Sequence, residues 1–122
     1  MSLSVSKISI YVDDQDGALD FWTTKVGCTL VTDLPYGEGR WIEVRPPAGG
    51  AGLVIYKATP EWPDHVKGTL NYVLFDSEDI NKTYEELSAR GVEFTAPPKQ
   101  ESWGWSAVFK DNEGHLFHLG QR

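Results

Sequence analysis

The chain repeats itself. Sliding the second half back by 64 positions lays Trp105-Ser-Ala-Val-Phe-Lys-Asp-Asn-Glu-Gly114 on Trp41-Ile-Glu-Val-Arg-Pro-Pro-Ala-Gly-Gly50, and Gly91 on Gly27. An internal duplication constrains the architecture more than any single motif, because each copy must build the same supersecondary unit. It also names positions at which the two copies present equivalent side chains.

Hydrophobic periodicity supplies the unit. Lys7 to Val12 alternates, with Ile8, Ile10 and Val12 on one face and Lys7, Ser9 and Tyr11 on the other, as in a half-buried strand. Asp13 or Asp14 caps a helix in which Ala18, Leu19, Trp22 and Val26 recur at helical spacing, and Gly27 ends it. Strands follow at Cys28 to Asp33, Trp41 to Arg45 and Leu53 to Lys57, with Pro35 to Gly39 as a turn. The same order returns as a strand from Leu70 to Phe75, Ser77 as cap, and a helix from Asp79 to Arg90 ended by Gly91. Strands then run from Glu93 to Ala96, Trp105 to Lys110 and Leu116 to Leu119, with Pro97-Pro98 and Asp111 to Gly114 as breaks. Asp14 matches Asp79 at an offset of 65 and Gly27 matches Gly91 at 64, a difference of one residue within the helix.

The fold class expected is α+β: two βαβββ modules, 5–57 and 69–121, joined by a connector at 58–68 within one domain spanning 1–122. Mixed sheets would form a concave cleft, with helices on the outer face. The aliphatic set Ile8, Ile10, Val12, Ile42, Val44, Leu53, Ile55, Val73, Phe75, Phe117 and Leu119 would pack on the helices. The alternate set, including Lys7, Tyr11, Trp41, Glu43, Tyr56, Tyr72, Trp105, Ala107, Phe109 and His118, would face inward. A concave face of mixed polar and aromatic character suits a ligand; its other reading is a closed core or dimer seam.

Charge and cysteine content exclude several functions. Lys plus Arg number 11 against 18 Asp plus Glu, a net charge of -7 that disfavours nucleic acid and anionic membranes. Cys28 is the only cysteine, so intramolecular disulfides and multi-thiolate metal sites are excluded. No signal-like segment opens the chain and no apolar run approaches the ~20 residues needed to span a bilayer, so the expected compartment is the cytoplasm. No Ser-His-Asp arrangement, phosphate-cradling glycine loop or basic patch is present.

The opening Ile10-Tyr-Val-Asp-Asp-Gln-Asp-Gly-Ala-Leu-Asp-Phe-Trp22, the closing Phe109-Lys-Asp-Asn-Glu-Gly-His-Leu-Phe-His118 and the duplicated βαβββ resemble the vicinal oxygen chelate superfamily of glyoxalases, bleomycin-resistance proteins and extradiol dioxygenases. The resemblance covers nearly the whole chain and implies fold more strongly than activity. It also implies that metal-dependent members hold a divalent ion at one inward position in the first and last strand of each module. Carried onto this chain, those positions are Lys7, Val54, Tyr72 and His118. A divalent transition ion takes three or four N or O ligands at ~2.0–2.2 Å, which one imidazole and one phenol do not supply. The expectation is therefore no metal and no cofactor.

What remains is a small-molecule binder of the glyoxalase/bleomycin-resistance type, with Trp41, Glu43, Tyr56, Tyr72, Trp105, Phe109 and His118 as ligand-binding residues and no catalytic residue assigned. Aromatic faces hold planar or cationic groups at ~0.5–2 kcal/mol each, so the partner expected is a small hydrophobic or aromatic ligand, cationic ones included. The resemblance further implies a homodimer, with the modules pairing within one chain or between two. The rival is a metal-dependent lyase or dioxygenase of the same fold; a third reading is a module using the cleft for protein contacts. Trp103-Gly-Trp105 reads equally as a ligand-contacting segment or a β-bulge. His118 is either a general acid or base or a hydrogen-bonded cleft residue. His115, after the Gly114 turn, is expected to be exposed, and Cys28 to act as a small hydrophobe.

Overall fold

Alternating apolar residues make β1 (Lys7–Val12), the opening strand of the computed structural model, which describes residues 1–121. The chain divides into two compact units, Met1–His65 and the segment from Val66 onward. In unit 1, β1 leads into α1 (Gln15–Asp20), whose N-terminus is capped by Asp14: its Oδ1 accepts from Gly17 N at 3.0 Å. The helix widens into a π-helical turn, Phe21–Lys25, and the chain leaves it through Gly27 at φ 92°. Strands β2 (Thr29–Tyr36), β3 (Gly39–Arg45) and β4 (Gly52–Lys57) complete a sheet of order β1-β4-β3-β2. β4 returns parallel to β1, and the other pairings are antiparallel.

Unit 2 repeats the plan. β5 (Leu70–Asp76), α2 (Ile80–Ala89), β6 (Glu93–Glu101), β7 (Gly104–Lys110) and β8 (Leu116–Gln121) form a sheet of order β5-β8-β7-β6, with β5 and β8 parallel. Two four-stranded mixed sheets with two helices are the α+β architecture that the duplication implies. Each unit's helix packs on its own sheet, α1 against β3 and β4, and α2 against β6, β7 and β8.

Three local expectations are corrected. Ser77 does not cap α2; Asp79 does, accepting from Lys82 N at 3.1 Å, while Ser77 Oγ accepts from Asp79 N one step outside the helix. Aspartate suits an N-cap at least as well as serine, and sits here at the position from which it reaches the free amides. Pro97 and Pro98 do not end β6, and Pro35 does not end β2. Both strands lie at a sheet edge, where a residue without N–H breaks no ladder on its open side. His115 is 2% exposed rather than solvent-facing: Asp111 Oδ2 lies 2.7 Å from its Nδ1, and Asp111 Oδ1 accepts from His115 N at 2.9 Å.

The faces of unit 1 follow the alternation. Ile42 pairs with Ile55 and Val44 with Leu53, all at most 1% exposed, beneath α1. Gln15 fastens the helix to this sheet, its Nε2 donating to Arg40 O at 2.7 Å and Ile55 O at 2.9 Å while its Oε1 accepts from Arg40 N at 3.0 Å. Gly39 must lack a side chain there, since a Cβ would lie 2.6 Å from Gln15 Oε1.

In unit 2 the expected face of β7 is inverted. Phe109 pairs with Phe117 and Ala107 with Leu119, so Trp105, Ala107 and Phe109 share the helix-side face instead of the cleft face. Phe109 is 1% exposed, with ring centroids 5.5 Å from Phe117 and 5.8 Å from both Phe75 and Phe94. Trp105 pairs with Gln121, whose Oε1 accepts from the first amide of α2, Ile80 N, at 2.6 Å. The cause is a one-residue slip. The hairpin partners Tyr36 and Gly39 correspond to Glu101 and Gly104, and Glu43 opposite Val54 corresponds to Val108 opposite His118. The true mate of Trp41 is thus Ser106, and the Trp41–Trp105 match is coincidental; in a strand a shift of one exchanges the two faces.

Candidate ligand-binding site

The open face of unit 1 gathers aromatic rings because its strand registers align them. Tyr11 is opposite Tyr56 across the parallel β1–β4 ladder, and Leu34 opposite Trp41 sets Tyr36 beside Trp41 across β2–β3. Tyr11 and Tyr56 stack at 5.5 Å, and Trp41 meets Tyr56 edge-on at 5.3 Å. Tyr36 lies 5.7 Å from Trp41 and 6.4 Å from Tyr56. Tyr11, Tyr36 and Tyr56 line a groove of about 710 Å³ together with Arg40, Lys57 and Trp62, and Trp41 packs on the rings of Tyr36 and Tyr56. Trp62 arrives from a tight turn in the connector, where Thr59 Oγ1 accepts from Trp62 N and Thr59 N donates to Trp62 O, each at 3.0 Å.

The cations of this groove are committed. Arg40 is bonded bidentately to Asp33, Nε to Oδ1 at 3.0 Å and Nη2 to Oδ2 at 2.9 Å, and its Nη1 to Asp16. These bonds hold the Asp33 carboxyl below its ordinary range and push the Arg40 guanidinium further up. Lys57 Nζ donates to Asp13 O at 3.3 Å. The Tyr56 phenol is raised, first by burial and then by the neighbouring Tyr36 and Tyr11, against a lowering hydrogen bond with Ser9. Tyr56 therefore stays a neutral hydroxyl that can donate or accept.

The remaining residues expected to bind ligand fall in different places. Glu43 is buried and ion-paired to Lys7 at 3.8 Å, close over Gly52, where a Cβ would lie 3.1 Å from its Oε2. Lys7 and Val54, two positions at which the family resemblance implies metal ligands, are thus a paired ammonium and an aliphatic chain 1% exposed; neither offers a lone pair to an ion. On unit 2, Tyr72 is 85% exposed on β5. His118 pairs with Leu74 and Val108, and its ring centroid lies 5.9 Å from that of Trp103. Its Nδ1 is buried with no hydrogen-bond partner among the described residues. Trp105 and Phe109 are separated from His118 by the sheet itself, because they occupy the opposite face.

Sequence reasoning missed Tyr36, Arg40 and Trp62 as groove residues. Tyr36 lay in a stretch whose proline and two glycines read as a turn, and Trp62 in a connector without periodicity. The available signal was the tight Gly37-Glu38 tip, which leaves Tyr36 and Gly39 as the closing pair of a hairpin.

The model of the Glyoxalase/Bleomycin resistance protein/Dioxygenase superfamily matches residues 4–119. The chain belongs to that superfamily. Among members it is similar to the uncharacterized protein YetH of Bacillus subtilis (strain 168), 40% identical over 121 residues that cover 98% of each chain. The solved structure of UcmS2 is 32% identical and superposes with a TM-score of 0.87, covering 100% of both chains. TnmS3, described as an antibiotic binding protein from Streptomyces sp. CB03234, is 34% identical with a TM-score of 0.84, over 99% of this chain and 98% of that one. Superfamily membership accounts for the duplicated βαβββ.

Proposed function

We propose that the protein captures a small planar aromatic molecule in the groove of unit 1 and releases it unchanged. The observation that carries this reading is the set of tyrosines Tyr11, Tyr36 and Tyr56 lining the 710 Å³ groove with Trp62, with Trp41 packed on Tyr36 and Tyr56. That size suits a drug-sized ligand, and offset or edge-on ring contacts contribute ~0.5–1.5 kcal/mol each beyond simple burial. Similarity to an antibiotic binding protein supports the same reading. Of the residues expected from sequence, Tyr56 lines the groove and Trp41 packs on it, with Glu43 two positions along β3 from Trp41; in this reading Tyr72 and His118 serve on unit 2. The family metal site is lost in this reading, since Lys7 and Val54 supply no ligand atom, and the working form is a cytoplasmic homodimer.

The test is a titration of intrinsic tryptophan fluorescence with a panel of planar aromatic compounds, followed by mass spectrometry of the recovered compound. Saturable quenching, weakened roughly fivefold by Tyr56→Ala or Trp62→Ala, with the compound recovered intact, is the expected result. No response across the panel overturns capture. Recovery of a transformed product, together with stoichiometric transition metal in protein purified without chelator, establishes the lyase or dioxygenase reading in its place.

A further inference from the structure

We infer that the groove of unit 1 selects, among planar aromatic molecules, those that carry a protonated amine; this rests on capture in that groove and fixes the charge of its occupant. A ring and a carboxylate come together twice along the lining. Tyr36 and Glu38 belong to the hairpin tip between β2 and β3, and Glu61 and Trp62 are neighbours in the connector turn. Tyr36 is 59% exposed and Trp62 61%, so a large part of each side chain remains uncovered. The lip at Glu38 is open: a Cβ on the adjacent Gly37 would meet no atom within 4 Å.

Charge sets the sign of the occupant. Glu38 and Glu61 are exposed and make no hydrogen bond or ion pair among the described residues. The cations of the lining are engaged, Arg40 by the carboxylates of Asp33 and Asp16 and Lys57 by the backbone oxygen of Asp13. With the partners of Arg40 included, four carboxylates stand at or next to the groove against two cations, and the net charge of -7 adds a field of the same sign. The face of an aromatic ring attracts an ammonium through its quadrupole. A carboxylate beside that ring strengthens the attraction and repels an anionic analogue, so both devices act on the same group. An anion would find at Arg40 a guanidinium whose charge two carboxylates already offset. The stacked pair Tyr11 and Tyr56 takes the flat body of the ligand, and its amine reaches the exposed glutamates at the rim.

Calorimetric titration of the full chain with naphthylmethylammonium chloride, neutral naphthylmethanol and sodium naphthoate, flat molecules that differ in charge, tests the selection. The ammonium is expected to bind roughly tenfold more tightly than the alcohol, with the carboxylate weakest. Raising sodium chloride to about 0.5 M should shrink that advantage to about twofold. Glu38→Gln and Glu61→Gln should each narrow the ratio of ammonium to alcohol affinity about threefold, and the double variant should bring it close to unity. Both residues are exposed, so these variants should fold as the parent does. Equal binding of ammonium and alcohol by the parent chain, or an advantage that survives the double variant, overturns charge selection while capture stands. Failure of all three compounds to bind, with neutral members of the aromatic panel still quenching tryptophan fluorescence, does the same. Silence of the whole panel overturns capture, and the selection with it.

Discussion

Burial decides what Cys28 can do. Its thiol is 6% exposed and is pushed up to about 11 by desolvation, which leaves little thiolate at neutral pH. Ellman's reagent at pH 8 should label the native protein about a hundredfold more slowly than the urea-unfolded chain; comparable rates would show that Cys28 is reachable. The same logic fixes the role of Phe109. Phe109 is enclosed by Phe75, Phe94 and Phe117, so Phe109→Ala should cost ~3–5 kcal/mol in urea unfolding and leave ligand affinity of the folded fraction intact. A stable Phe109→Ala variant that binds ligand poorly would instead return Phe109 to the open face. Gln15 is a third single-residue test. Truncation to alanine removes three hydrogen bonds and exposes no replacement donor for Ile55 O, a loss of ~1–3 kcal/mol measurable as a lowered urea midpoint.

At the level of strands and helices, the duplication is most visible where glycine is required. Gly27 and Gly91 both leave their helices at φ 92°, and Gly50 and Gly114 turn at 88° and 87°. A side chain in that left-handed region is strained, so Gly27→Ala and Gly91→Ala should each lower stability by ~1 kcal/mol, read as parallel shifts in thermal midpoint. Such positions were legible in the sequence because glycine is nearly obligatory there. The eight strands and two helices were legible for a related reason: alternation and helical spacing are imposed by which side must meet the core. The register between β7 and β8 was not. One residue fewer between the paired strands of unit 2 than of unit 1 leaves the pattern of apolar residues almost unchanged, and the two tryptophans then suggested the wrong match. The groove was half legible, since Tyr11 and Tyr56 follow from alternation, whereas Tyr36 and Trp62 depend on a hairpin tip and an aperiodic connector.

At the scale of the whole molecule, the net charge of -7 and the proposed homodimer make separate demands. Sedimentation velocity at micromolar concentration should give a species of about twice the 13.6 kDa chain mass, and a monomer at every concentration would remove the dimer from the reading. Protection against strand-by-strand association rests on more than charge. Each sheet ends on one side in a proline-bearing strand, Pro35 in β2 and Pro97-Pro98 in β6. Those rings deny a passing chain the continuous row of amide donors on which strand-by-strand stacking depends. Evolution could lose them with little harm to the folded protein and still pay in fibres.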